Sequence, residues 1–345
     1  MTLEQGKGNC TLDTYVGYLL GEPVRTTCTG LSEILPNVSH DSVNRFLLSK
    51  NYSSIDLFQL VKVRICLQGG VLSVDDSIID KPYSDLKKNE LLGYHWSGKH
   101  HKTVKGICLI TLYYTDPYGV CVPVSYRVYD PNEDKTKNDY FREMWEEVWG
   151  LGLRPAYGTG DSWYSSIENL KFIRKHGIGL CFGVEKNRLV SIVKGSFIHI
   201  EDIENWDENG LVVYLKDFGM VRVFRQMFKN MPRYYVMAMP KIEMLDDIGL
   251  NDFKMVHDRH WNIERFHRAA KQLCNLEKFQ VRASQAIMNH IFCALMTFVT
   301  LEFLRVSQTI ENWYQLQRNS LNSMLRNFLK DLPSPIQIIA SGSSA

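Results

Sequence analysis

Apolar positions along the chain change period repeatedly, and the changes outline the elements. Residues 1–30 are weakly patterned, with Gly6, Gly8, Gly17, Gly21 and Gly30 leaving room for one short helix near residues 12–20. Ser39 supplies an N-cap for a short helix whose buried face is Val43, Phe46 and Leu47. A second helical period, residues 57–67, ends at Gly69 and Gly70. Residues 71–74 then predict a strand that stops at Asp75-Asp76-Ser77. Residues 106–114 and 120–129 are rich in Ile, Leu, Val and Tyr and flank Asp116-Pro117-Tyr118-Gly119, which predicts a hairpin. A helix over 137–150 follows, then a short strand over 153–160 that ends at Asp161. A helix over 162–176 and a strand over 178–184 come next.

Residues 187–240 hold short strand-like runs separated by Gly195, Asn209-Gly210, Asp217 and Gly219. They predict a β-rich insertion. Three helical periods close the chain: one around residues 258–271, an apolar one over 284–307, and an amphipathic one over 316–332 stopped by Pro333 and Pro335. The fold class is α/β, a mixed sheet flanked by helices. Its expected parts are a helical N-terminal region (1–68), the first part of a core (69–186), the insertion (187–245), the last helices (246–335) and a frayed tail (336–345).

Composition narrows the function classes. Lys and Arg number 40 against 38 Asp and Glu, a net charge of only +2, so any contact with nucleic acid must come from local patches. The eight cysteines include no Cys-x-x-Cys pair, which argues against a zinc ribbon or thioredoxin-like site and suits a reducing compartment. The N-terminus lacks the basic and apolar regions of a signal peptide. The apolar helix contains Asn289, His290 and Glu302, so it reads as a buried core helix rather than a membrane span. A cytoplasmic location with no membrane partner is expected.

The helix over 258–271 carries the most chemistry. Ile263, Phe266 and Ala270 form its apolar stripe, while His260, Glu264, His267 and Lys271, at spacings of four, three and four, share another face. One carboxylate among imidazoles and cations suits a metal ion beside phosphates. An amphipathic helix laced with ion pairs of about 0.2–0.5 kcal/mol each explains the same spacing. Asp75, Asp76 and Asp161 stand at predicted strand ends, where α/β sheets build active sites, though turns and helix caps also use aspartate there. Lys99, His100, His101 and Lys102 form the clearest basic patch, either a DNA-backbone contact or a solvated loop. Asn44 and Arg45 on the first capped helix fit DNA reading or plain packing equally. Trp163 and Trp261 neighbour two of the acids; core packing is the commoner fate of Trp, and stacking on a flipped base the rarer one.

The segment around Glu264 resembles the Tyr-x2-Arg-x3-Glu-x6-Lys signature of bacterial insertion-sequence transposases of the Asp-Asp-Glu type. Glu264 and Lys271 match it, while His257 stands in the Tyr position and His260 in the Arg position. Gly158-Thr159-Gly160-Asp161-Ser162-Trp163-Tyr164 resembles the segment of the second acid, and the likeness covers roughly residues 35–305. The resemblance implies an RNase H-like core in which two acids come from strands and the third from a helix. It implies Asp76, the acid directly before Ser77, with Asp161 and Glu264 as the catalytic, metal-binding residues, and Asp75 as a supporting neighbour. Two Mg²⁺ ions, replaceable by Mn²⁺, would be the cofactors. His257, His260, Lys271, Arg259 and Arg268 would hold DNA phosphates, with Lys99, Lys102 and Arg45 as further DNA contacts. The implied reaction is cleavage at terminal inverted repeats and joining of the 3′-hydroxyl ends to target DNA by a homodimer. Three other readings fit the residues: a nuclease of the same fold without strand transfer, a degenerate transposase that only binds DNA, and an unrelated α/β protein.

Overall fold

The computed structural model describes residues 9–331 apart from Pro23 and Lys99. The tail expected over 336–345 lies outside the described residues. Four helices come first: α1 (Leu12–Gly21), α2 (Cys28–Ile34), α3 (His40–Ser49) and α4 (Ser54–Val61). Thr11, Thr27, Ser39 and Ser53 cap them, each accepting a backbone N–H of the first turn. Ser53 and Asp56 form a reciprocal capping box, so α4 starts three residues earlier than apolar spacing alone indicates.

The sheet comprises β1 (Val71–Asp80), β2 (Gly93–Ser97), β3 (Lys102–Thr115), β4 (Cys121–Val128), β5 (Tyr157–Gly160), β6 (Gly179–Val184), β7 (Leu189–Ser191), β8 (Ile198–His199), β9 (Leu211–Leu215), β10 (Gly219–Phe228) and β11 (Met231–Ala238). Helix α5 (Lys137–Gly150) leads into β5, and α6 (Ile167–Lys175) joins β5 to β6. The central order is β4-β3-β1-β5-β6, with β1–β3 and β3–β4 antiparallel and β1–β5 and β5–β6 parallel. This is the RNase H-like order. β11 pairs antiparallel with β6, so the β-rich segment extends the same sheet outward through β10, β9, β7 and β8.

Two departures from the sequence pattern matter. β1 does not stop before the acids: it continues to Asp80, paired with β3 throughout. Its parallel partner β5 ends at Gly160, opposite Val74. The acids therefore sit in mid-strand, one step past the point where β1 loses a neighbour. Gly160 permits this closeness, since a Cβ there would stand 2.8 Å from both Phe182 and Val74.

The last helices are α7 (Leu250–Leu273), α8 (Ser284–Val306) and α9 (Gln315–Asp331). α8 is long and apolar enough to cross a membrane by composition, yet its polar residues are spent inside the fold. Asn289 donates to the Leu47 and Lys50 carbonyls and accepts from Tyr52 N–H. His290 takes the Tyr15 hydroxyl on Nδ1 at 2.9 Å and offers Nε2–H to the Asn275 carbonyl at 3.1 Å. The N-terminal helices are thereby fastened to α8, and Tyr15, Phe46, Leu57 and Phe58 share its core.

Burial pushes the His290 pKa down to about 3. Below its unfolded pKa near 6.5 the unfolded chain takes a proton that the folded chain refuses, so stability falls as pH falls. His290→Gln should flatten the stability-versus-pH curve by about 1.4 kcal/mol per pH unit between roughly pH 6 and 4. Urea unfolding of both proteins across that range checks it; parallel curves refute it.

Candidate active site

Alternation along β1 turns Asp75 and Asp76 to opposite faces of the sheet. Asp75 meets α7, where its Oδ2 lies 3.4 Å from His267 Nδ1. Its Oδ1 accepts the Asp76 backbone N–H at 2.8 Å. Asp76 meets α5 and the segment after β5: Lys137 Nζ is 2.7 Å from Oδ2, and the Tyr164 hydroxyl donates to Oδ1 at 3.1 Å. The Cys108 thiol also donates to Oδ2, at 3.4 Å. The two adjacent acids thus have different surroundings. Asp76 is neutralised by an ammonium group, and Asp75 has only a neutral imidazole.

Asp161 follows β5 and caps the one-turn segment Ser162–Tyr164, taking the Trp163 and Tyr164 N–H groups on one oxygen, Oδ1. It is both the helix cap that its sequence allowed and a member of the acid group. Burial, then the charge of Asp76, pushes Asp75 up to about 7. The cleft walls and then Asp75 and Asp76 raise Asp161 as well. Glu264, exposed on α7, is raised by desolvation and then by Asp75. From the middle of β1, Asp75 therefore acts on both Asp161, after β5, and Glu264, in the middle of α7.

Asp161 and Glu264 open into a cleft of about 470 Å³, whose walls include His257, His260, Trp261 and Arg233. His257 packs edge-on to Tyr235 and beside Phe253. His260 is held neutral, its pKa pushed down to about 4 by burial and then by His257 and His267. Burial likewise holds His267 neutral, at about 4. Nδ1 of His260 and Nε2 of His267 are buried without a partner. Among the described residues, no three His, Cys, Asp or Glu side chains stand close enough to share an ion in this arrangement. The donor chemistry still fits a hard divalent cation, because uncompensated carboxylates are what such ions bind.

Residues 67–299 match the family described as "Transposase DDE domain". The chain belongs to the DDE transposase family. It is a DNA transposase, an enzyme that cleaves and transfers DNA strands. DDE transposases in general use divalent metal ions. Among solved structures, the fold resembles that of the piggyBac transposase in a synaptic complex with hairpin DNA, with a TM-score of 0.52 and 12% identity. That match covers 96% of this chain and 74% of the other. Among curated proteins, none matches.

The other residues singled out by sequence lie apart. Lys271 is not free in the cleft: it pairs with Glu277 at 2.7 Å and donates to the Ile78 carbonyl, tying α7 to β1. Arg259 and Arg268 line a separate pocket. Lys102 begins β3, nine residues from Thr111 opposite Asp75, or roughly 30 Å along the strand. Arg45 is exposed on α3 and does not line the cleft. Lys99 lies outside the described residues. Trp163 and Trp261 are not core residues as their type suggested; they are 64% and 44% exposed. Lys137 and Tyr164 were missed as site neighbours, and only the alternation of β1, which assigns Asp75 and Asp76 to opposite faces, pointed to them; Arg233, which with Lys216, Arg222, Arg225 and Lys229 of the β-rich insertion was expected to touch DNA or merely shield the core, lines the cleft.

Lys137 and Asp76 are largely buried, with side chains 19% and 16% exposed. Lys137→Met should cost about 3 kcal/mol, since it strands the Asp76 charge. Adding Asp76→Asn should recover most of that loss. Denaturant unfolding of the two single variants and the double variant checks it; additive losses exclude the pairing.

Proposed function

We propose that this transposase cuts at the terminal inverted repeats of its element and joins the freed 3′-hydroxyl ends to target DNA, with Asp75, Asp161 and Glu264 as its metal-holding acids. The observation that carries the reading is geometric: Asp161 and Glu264 open into one cleft, and Asp75, on the neighbouring strand β1, faces the helix that carries Glu264. Asp75 replaces Asp76 in the expected triad, because Asp76 faces the other side of the sheet and is already neutralised by Lys137. Asp75, Asp161 and Glu264 would hold Mg²⁺ or Mn²⁺, and a pair of such ions would supply the chemistry that activates an oxygen nucleophile and stabilises the leaving oxygen.

The chain's own residues prepare the acids. His267 and the Asp76 N–H fix the orientation of Asp75. The Trp163 and Tyr164 N–H groups fix one oxygen of Asp161 and leave the other free. Neutral His260 offers a phosphate a hydrogen bond without a charge, whereas Arg233 on the opposite wall offers both. His257 completes the wall against Tyr235. Processing two ends calls for two such sites, hence a homodimer on paired DNA.

Labelled duplexes carrying the repeats next to the gene test the assignment, incubated with Mg²⁺ or Mn²⁺. Wild type should nick at the repeat ends, and Asp75→Asn and Glu264→Gln should lower that rate by about 10³-fold or more. Asp76→Asn should keep measurable nicking, because an amide still meets Tyr164. Loss with Asp76→Asn but not with Asp75→Asn would return the first acid to Asp76.

A further inference from the structure

Beside the catalytic cleft lies a second cavity, of about 450 Å³, between α7, the end of α8 and the β3–β4 turn. Four arginines line it: Arg259, Arg265 and Arg268 from α7, and Arg305 from α8. The three on α7 are spaced by six and three, and Asn262 fills the gap, so the residues form one i, i+3 ridge. That ridge climbs about 13 Å along the helix and winds toward the catalytic face. Its Arg268 end is close enough to Glu264 for the guanidinium to act on that carboxyl.

The floor of the cavity is built rather than accidental. Glu302, fully buried, accepts the Cys121 N–H at 2.8 Å, Arg305 at 2.6 and 2.8 Å and the Trp313 indole N–H at 2.8 Å. Four donors on one carboxylate lock Arg305 and Trp313 in place. Arg305 is thereby neutralised. The remaining charge comes from Arg259, Arg265 and Arg268, against one lining carboxylate, Glu311. Among the described residues, none of these three arginines has a carboxylate partner. Arg265 lies over the Trp313 ring at 5.4 Å and gives one N–H to Asn262 Oδ1 at 3.4 Å, which leaves its other N–H groups to face an anion.

We propose that this arginine pocket binds backbone phosphates of the DNA strand that runs into the catalytic cleft. A guanidinium fork matches a phosphodiester, and a ridge leading to Glu264 suits a polymer better than a single small anion. Tyr314, 41% exposed at the rim, adds a ring for a sugar or base. The proposal rests on the reading that the chain acts on DNA. The phosphates belong either to the transposon end or to target DNA.

The test is the salt dependence of binding, without metal and so without cleavage. The probes are one duplex carrying the terminal repeat and one unrelated duplex, each titrated between 50 and 200 mM salt. The variants are Arg259→Ala with Arg265→Ala, and Arg265→Lys. For the double alanine variant, the log–log salt slope should shrink by about 1–2 and affinity should fall at least about tenfold. Arg265→Lys should keep the slope. A loss confined to the repeat duplex assigns the pocket to the transposon end; one confined to the unrelated duplex assigns it to target DNA. Unchanged slope and affinity for both duplexes, with Tm unchanged, overturn the proposal. If the double variant does not fold, Arg265→Glu, at an exposed position, replaces it with the same criterion. Wild type that binds neither duplex would sink the DNA reading itself, an outcome distinct from wild type and variant binding alike.

Discussion

Two carboxyl groups, Asp75 and Asp161, are held on adjacent paired strands close enough for the charge of one to act on the other, and the frame around them keeps them there. Burial of Asp75 keeps the cost high, since desolvation disfavours its charged form before any neighbour is counted. The sheet cannot relax the arrangement. β1 is paired with β3 along its whole length, and Gly160 brings β5 so close to Val74 and Phe182 that a single methyl would not fit. α7 then brings Glu264 over the same point, and Lys271 fastens that helix to β1 and the following loop. A rigid frame that stores like charge in a cleft is stabilised by whatever positive charge enters it. Such a frame holds the acids in place for a reaction even though they contribute little to its stability.

The doublet Asp75-Asp76 illustrates how adjacent residues take different work. Strand alternation alone separates them. Asp76 faces Lys137, Tyr164 and Cys108, an ion pair and two hydrogen bonds that lock the start of α5 and the segment after Asp161 onto β1. Asp75 faces the helix that carries Glu264. The backbone N–H of Asp76 bonds to the Asp75 carboxylate, so the two side chains are mechanically joined.

Much of this was legible in the sequence, for identifiable reasons. The strand–hairpin–helix–strand order follows local periodicity, and local periodicity survives in the folded chain as β1, β3, β4, α5, β5, α6 and β6. Asp161 and Glu264 stood out because each is placed by a single element, a short strand and a helix. The different surroundings of Asp75 and Asp76 were not legible from the likeness to a family motif, and the expected strand end was wrong because pairing with β3 continues where pairing with β5 stops. Lys271 matched a motif yet is engaged by Glu277 and the Ile78 carbonyl, partners that only the tertiary fold supplies. Trp163 and Trp261 were misjudged because residue type reports average burial, whereas both are exposed here and Trp261 lines the cleft.

The histidines at 257 and 260 follow from the same electrostatics. Where the resembling transposases carry Tyr and Arg, this chain has two imidazoles, and His260 is held neutral by burial. The catalytic face of α7 therefore offers no fixed cation beside Glu264 apart from Arg268 at its edge. The fixed positive charge of the helix lies instead on the ridge of Arg259, Arg265 and Arg268, around the side of the cylinder. Placing it there leaves only the Arg268 end of the ridge near Glu264. Division of α7 into an acid-and-imidazole face and an arginine ridge lets one helix serve both metal and phosphate, with Arg268 as the residue where the two meet.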